Sequence, residues 1–204
     1  LSASPIRRVG LFGGAFDPPH RTHTALAQAA ITQLQLDVLH VVPTGHAWHK
    51  QRTLTAATHR LAMCALAFAQ LPLAKVDDRE IRRSGPTYTV DTLVELQAQY
   101  PNAHLYLLMG EDQARSLGTW HRAEELARAA TICVASRPDS GAAGAPSTSA
   151  IALQGFDFHP VQMPASTVSA TEIREKTAQG HSVAPLVFES VARYIEHHHL
   201  YQAA

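Results

Sequence analysis

Two histidines, His20 and His23, close the stretch Arg8-Val-Gly-Leu-Phe-Gly-Gly-Ala-Phe-Asp-Pro-Pro-His-Arg-Thr-His23. Val9, Leu11 and Phe12 predict a short buried strand, which Gly13 and Gly14 interrupt. Asp17-Pro18-Pro19 predicts a rigid turn, and a helix is expected from about His20 to Gln35. A strand, a glycine turn and a helix N-terminus together form a natural anion site, because unpaired N–H groups and the positive end of the helix dipole converge there. Gly13 and Gly14 carry no Cβ, so a phosphate can lie close to the backbone. Positions three apart share a helix face, and both imidazoles are expected to project over one anion from a polar first turn. Imidazoles donate hydrogen bonds to phosphate oxygens and gain a proton when an anion raises their pKa.

A second constellation lies toward the C-terminus. Ser169-Ala-Thr-Glu172 has the capping-box pattern, with Ser169 as N-cap and Glu172 at N3. Capping does not account for Arg174, three residues after Thr171 on the same helix face. A hydroxyl and a guanidinium at a helix N-terminus suit a second anion.

The elements that must position these residues alternate. Ala27, Ala30, Ile31 and Leu34 continue the first helix as an apolar stripe, and Val38 to Val42 is a near-continuous apolar run closed by Pro43. Residues 44–58 read as a long polar loop, and Leu61, Cys64, Ala65 and Phe68 as a second helix. Leu73 to Val76 is a weak strand, followed by a charged run from Asp77 to Arg83 and a turn at Ser84-Gly85-Pro86. Thr87 or Thr89 is expected to cap a helix reaching about Gln99. Strands are expected at His104 to Met109, Thr131 to Ala135 and Phe156 to Val161, and helices at Glu124 to Ala130, Ser169 to Gln179 and within Pro185 to His199. Residues 137–150, rich in Pro, Gly, Ser and Ala, read as a mobile surface loop. Such alternation implies right-handed crossovers and a parallel α/β sheet.

At 204 residues the chain suits one α/β domain spanning 1–204. Lys+Arg and Asp+Glu balance at 17 each, so no overall field favours nucleic acid. Cys64 and Cys133 have no short-range partner and read as reduced core thiols. No stretch approaches the roughly 18 apolar residues of a membrane span, and Leu1 to Arg8 lacks a hydrophobic signal core, so a soluble, cytoplasmic protein is expected. The His197–His199 tract lacks acidic or Cys partners beyond Glu196 and reads as a solvated helix end, not a metal site.

Gly13 to His23 resembles the signature of the nucleotidyltransferase superfamily marked by His-x-x-His, and its Gly-Gly-x-Phe-Asp-Pro lead-in is most similar to bacterial nicotinate-nucleotide adenylyltransferases. One departure stands out: Thr22 occupies the position where the family usually has Gly. Val168-Ser-Ala-Thr-Glu-Ile-Arg174 resembles the second signature of that superfamily, Ile-Ser-x-Thr-x-Ile-Arg. Gly85 to Thr92 resembles its Pro-Ser-Tyr-Thr segment, and Met109-Gly-Glu-Asp112 with Trp120 its Gly-x-Asp then Trp arrangement.

The resemblance, spanning roughly Arg8 to Tyr201, implies a Rossmann-like doubly wound parallel sheet with helices on both faces, and an enzyme joining nicotinate mononucleotide to ATP to give deamido-NAD and pyrophosphate. It implies catalytic roles for His20, His23 and Arg174, and ATP contacts from Gly13, Gly14, Phe16, His20, His23, Gly110, Asp112, Ser169, Thr171 and Arg174. For the pyridine nucleotide it implies Lys50, Tyr88, Thr89, Val90, Trp120 and His121, with Trp120 stacked on the ring and backbone N–H groups near Val90 and His121 on the carboxylate. No acidic cluster is evident to hold a metal, so Mg²⁺ is expected to arrive with ATP. Neither nucleic acid nor membrane is an expected partner, and the oligomeric state stays open. The rivals are another adenylyltransferase, of phosphopantetheine type, and a non-catalytic nucleotide sensor in which Thr22 obstructs the ATP site. Neither Gly-x-Gly-x-x-Gly nor a P-loop motif occurs, which disfavours a dehydrogenase or P-loop protein.

Overall fold

The two long apolar runs, Val38–Pro43 and His104–Met109, flank the glycine-bearing strand Arg8–Gly14 in the computed structural model, which describes residues 5–45, 53–136, 156–164, 166 and 168–202. We label the strands β1 (Arg8–Gly14), β2 (Val38–Pro43), β3 (Ala74–Val76), β4 (His104–Met109), β5 (Thr131–Ser136) and β6 (Phe158–Gln162). They form one sheet in the order β3-β2-β1-β4-β5-β6, with every neighbouring pair parallel. The chain moves outward from β1 through β2 to β3, then returns to the other side of β1 as β4. That reversal opens a crevice at the carboxyl ends of β1 and β4, where ligands bind in open α/β sheets.

Helices α1 (Arg21–Gln33), α2 (Ala57–Phe68), α7 (Ala170–Ala178) and α8 (Glu189–His197) cover one face of the sheet. Their Leu26, Ala27, Met63, Phe68, Ile173, Val191 and Ile195 pack on Phe12, Leu39, Val41, Leu108 and Cys133. On the other face, Leu93 and Leu96 of α4 (Thr89–Gln99), Ala114 of α5 (Glu111–Ser116) and Leu126 of α6 (Ala123–Ala129) meet Leu11, Val38, Val42, Leu107 and Val134. Alternate residues of β2 face opposite cores, which explains a strand with hardly a polar residue. The exception, His40, is buried but bonded on both nitrogens, to Asp77 at 2.8 Å and to Tyr100 at 3.1 Å.

The expected elements form, with local differences. Tyr88, not Thr87 or Thr89, precedes α4: its backbone is extended and its carbonyl accepts from Asp91 and Thr92. The charged run folds into a short helix, α3 (Arg79–Arg82), because Asp77 takes both the Arg79 N–H and its guanidinium. Helix α5 begins directly after Gly110, and a 3-10 turn follows at Leu117–Thr119. Residues 137–150 lie outside the described residues. Cys64 and Cys133 are free and buried, and burial pushes the Cys133 thiol up to about 12. Among the described residues no helix is long and apolar enough to cross a membrane.

The core also holds charged side chains, Asp17, Glu80 and Arg60 among them. Arg60 lies on the buried face of α2 at 1% exposure and donates to the carbonyls of Thr55 (2.9 Å), Ala15 (2.9 Å) and Thr44 (2.7 Å). A guanidinium tolerates burial only when its donors are used, and here they tie the turns after β1 and β2 to the entry of α2. Arg60→Met should lower the unfolding free energy in urea by about 3 kcal/mol or more, since three carbonyls lose a charged donor. A loss below about 1 kcal/mol would show that these carbonyls find other partners.

Candidate functional site

A Cβ built on Gly13, near the end of β1, meets nothing within 4 Å, and the same holds for Gly110 just past β4. Open space therefore lies before the carboxyl ends of both strands that border the crevice. Gly14 serves packing instead, since a Cβ there would lie 3.1 Å from the Phe16 ring. Phe16 takes a left-handed backbone (φ 47°) and buries its ring edge-on against Phe12 and Phe68 at 5.3 and 6.0 Å. Its ring thus belongs to the core, while its backbone forms part of the turn before His20.

His20 is the N-cap of α1, and its backbone N–H donates to His23 Nδ1 at 3.1 Å. With Nδ1 accepting, neutral His23 carries its proton on Nε2. The two rings lie 3.7 Å apart between centroids, and His23 also meets the Phe16 ring edge at 5.1 Å. His20 is buried and His23 half-buried, although the first turn of α1 reads as polar in the sequence. Among the described residues, His20 Nδ1 is buried without a hydrogen-bond partner. Burial pushes the His20 pKa down from 6.5 to about 4, and burial together with the neighbouring His20 holds His23 well below its ordinary value. At neutral pH without a ligand, both imidazoles are uncharged donors and acceptors. An orphaned buried polar atom is costly unless something is meant to meet it.

Asp17 joins the two ends of the chain. Its carbonyl accepts from Arg174 Nη1 at 2.8 Å, and Arg174 Nη2 donates to Thr171 Oγ1 at 3.0 Å. The two residues bridged are 157 positions apart. Ser169 caps α7 by accepting from the Glu172 N–H at 3.1 Å. Glu172 pairs with Lys176 at 3.8 Å, so the expected capping box is present in its serine arm. Thr22 turns its hydroxyl to Ser166 Oγ at 2.5 Å and to the Val168 carbonyl at 3.4 Å. It therefore links α1 to the approach of α7.

Tyr88 and His121 meet in a second cluster, at the N-terminus of α4 and the turn before α6. Thr89 and Val90 occupy the first turn of α4, ahead of its first backbone bond from Asp91 N–H to Tyr88. The Tyr88 ring stacks on His121 at 4.1 Å and 30°. Arg122, in a left-handed conformation (φ 55°), spans from Glu125 (2.5 Å) to Asp91 of α4 (3.5 Å). Trp120 is half-buried, donates its indole N–H to Ser116 Oγ at 3.4 Å, and lines an open cleft of about 460 Å³ with Arg122 and Phe156. Asp112 is exposed in the first turn of α5. Lys50 lies outside the described residues.

The two clusters are connected through the end of β2. Thr44 N–H donates to the Gly14 carbonyl at 2.8 Å, and a Cβ on Gly45 would lie 2.0 Å from the Glu80 carbonyl and 3.1 Å from Thr87. The buried Glu80 carboxyl accepts from the Thr92 hydroxyl at 2.8 Å and so pins α4 to this junction. Sequence reasoning missed Arg60, Ser166, Tyr201 and the linking role of Asp17. Only Arg60 left a signal, as a lone charge in the apolar stripe with Met63, Cys64 and Ala67.

Residues 11–176 match the family model described as cytidylyltransferase-like. The chain is 56% identical over 199 residues to a protein of Albidiferax ferrireducens named "Probable nicotinate-nucleotide adenylyltransferase", covering 98% of this chain and 100% of the relative. It is 43% identical to a protein of the same name from Methylibium petroleiphilum, over 98% of this chain and 95% of the relative. The fold is similar to that of the Plasmodium falciparum nicotinic acid mononucleotide adenylyltransferase complexed with NaAD, with a TM-score of 0.77 and 20% identity over 96% of this chain and 97% of that one.

The depressed histidines carry a pH dependence. His20 has a folded pKa near 4 and an unfolded pKa near 6.5, so between these values the unfolded chain binds more protons. Its favourable contribution is complete above about pH 6.5 and lost as pH falls toward 4, by at most ~1.4 kcal/mol per pH unit. Glu80, pushed up by burial, works in the opposite sense, so the comparison must be with a variant. The stability of the wild type relative to His20→Gln should fall by about 1–2 kcal/mol between pH 7 and 5 in urea titrations. A constant difference would mean that His20 titrates normally.

Proposed function

The chain is a member of the nicotinate-nucleotide adenylyltransferase family of cytidylyltransferase-like proteins, and on that premise we propose that it joins nicotinate mononucleotide to ATP, forming deamido-NAD and pyrophosphate in NAD biosynthesis. The observation that carries this reading is the Asp17–Arg174 bond, which draws two anion-suited helix starts to the crevice before Gly13 and Gly110. A polyphosphate spanning both starts would meet the Gly13 backbone and His20 on one side, and Thr171 and Arg174 on the other.

The nucleophile is the phosphate of the mononucleotide, already ionised at neutral pH. One of its oxygens forms a bond to the α-phosphorus of ATP as the bond to the β-phosphate bridging oxygen breaks, and pyrophosphate leaves with that electron pair. No side-chain base is required. The protein's contribution is alignment and stabilisation of charge shifting onto the leaving group. His20 and His23, neutral beforehand, donate through N–H and take up positive charge more readily once polyanionic ATP lies against them. Thr171 and Arg174 hold the leaving pyrophosphate, and Ser169 keeps the α7 N-terminus in place. Gly110 and Asp112 face the nucleotide. The donors around this crevice are N–H, imidazole and guanidinium groups that suit phosphate oxygens, so Mg²⁺, which takes oxygen ligands, would be held by ATP's own phosphates and would neutralise part of their charge.

The pyridine end falls to Tyr88, Thr89, Val90, Trp120 and His121. Arg122 is committed to Glu125 and Asp91, so backbone N–H groups of the α4 first turn and near His121 are the donors for the carboxylate. Against the sensor reading, the Thr22 hydroxyl is turned toward Ser166 and the Val168 carbonyl at the approach of α7. Free, buried thiols suit a reducing compartment, and we place the activity in the cytoplasm.

Pyrophosphate release from ATP, assayed with nicotinate mononucleotide, nicotinamide mononucleotide and 4′-phosphopantetheine, tests the reading. The acid should exceed the amide by about two decades in kcat/KM. An amide N–H₂ would face a backbone donor, leaving both unpaired, and would lose a charge-assisted bond. Faster turnover of phosphopantetheine would overturn the assignment.

His20→Ala and His23→Ala should each lower kcat by about 10²–10³. His20 is buried and His23 half-buried, so each variant must first be shown folded by its thermal transition. A tenfold loss or less in folded protein would remove both from the catalytic set.

A further inference from the structure

Beyond α8 the chain turns back on the anion site. His199 and Tyr201 both adopt left-handed backbone conformations, with φ of 52° and 63°. Histidine joins Gly, Asn and Asp among the residues that visit this region, but a bulky tyrosine rarely does, and Tyr201 requires a surrounding structure that enforces it. That structure is visible. Val191 and Ile195 anchor α8 in the core, the Tyr194 hydroxyl meets His59 Nδ1 of α2 at 3.0 Å, and Leu200 N–H bonds the Ile195 carbonyl at 3.0 Å. From this fixed base the Tyr201 hydroxyl donates to Asp17 Oδ1 at 2.6 Å.

Asp17 is buried, and its two ends have different tasks. The carboxylate takes Tyr201 and the Thr55 N–H, while the carbonyl takes Arg174. Only Pro18 and Pro19, with their restricted φ, separate it from His20. A shift of Asp17 would thus be passed both to Arg174 and to the first turn of α1. We infer that Tyr201 is a positioning residue for adenylyl transfer, setting Arg174 and His20 through Asp17. This role rests on the reaction proposed above. In-line transfer is sensitive to displacements of about 1 Å, and a short charge-assisted bond resists such displacement.

Tyr201→Phe removes the hydroxyl and keeps the ring. In the full chain it should lower kcat and kcat/KM for ATP by about tenfold each, with KM for nicotinate mononucleotide within about twofold of wild type and little change in Tm. In a double-mutant cycle with Asp17→Asn, the second substitution should add less than about twofold to the loss caused by Asp17→Asn alone. Unchanged kcat, a loss confined to Tm, or fully multiplicative losses would each overturn the inference. If Asp17→Asn does not fold, the kcat and KM pattern of Tyr201→Phe decides alone. Wild-type inactivity would overturn the reaction and this role together, whereas wild-type turnover with an unaffected Tyr201→Phe overturns this role only.

Discussion

A turn that receives a polyanion must hold polar groups ready without partners, and each buried group left unpaired costs about 1–3 kcal/mol. The structure between Gly13 and His23 depends on meeting that cost elsewhere. Arg60 fixes the Ala15 and Thr44 carbonyls from beneath, Tyr201 and Thr55 hold the Asp17 carboxylate, and Arg174 holds its carbonyl. Phe16, in a left-handed conformation, anchors the same turn by burying its ring among Phe12, Phe68 and His23. The turn is therefore held by side chains from α2, α7 and the segment after α8, and its shape survives the orphaned His20 Nδ1.

Burial also decides the electrostatics. Exposed histidines would be part-charged near neutrality and solvated, so ligand binding would gain little from them. Withdrawn from water and neutral, His20 and His23 offer donors in a medium of lower dielectric, where a bond to a phosphate oxygen is stronger than in water. Preorganisation and depressed pKa are thus two results of the same packing. Arg174 contributes the permanent charge, and one guanidinium spends its bonds on Asp17 and Thr171, which orients it before any ligand is present.

The cluster around Tyr88 and His121 is built on a different principle. Its residues come from the α4 N-terminus and from the short turn before α6, which Arg122 and Asp91 tie together across the gap. The Tyr88–His121 stack stiffens the same junction. Arg122 is paired with Glu125 and Asp91, and the Thr89 and Val90 N–H groups precede the first backbone bond of α4. Glu80 and Gly45 couple this junction to the end of β2, and Thr44 couples β2 to Gly14. One continuous path of contacts runs from the Tyr88–His121 cluster to the turn before His20.

Much of this was legible in the chain itself. Apolar runs such as Val38 to Val42 and periodic stripes such as Ala27 to Leu34 report burial directly, and alternation of the two dictates a parallel sheet. The glycine pair before His20, and Ser169 before Arg174, carry chemistry in local spacing, so both anion-suited helix starts could be found without coordinates. What required the fold were contacts between residues distant in sequence. Arg60 and Tyr201 act on carbonyls and a carboxylate that no periodicity links to them, and Thr22 meets Ser166 only because α1 and the approach to α7 pack side by side. Exposure was also undetermined: a first turn reading Arg21-Thr22-His23 is polar, yet packing against Phe16 half-buries its histidine. Local propensity is a property of neighbours along the chain, whereas desolvation and hydrogen-bond satisfaction depend on neighbours in space, and only the folded sheet with helices on both faces specifies those.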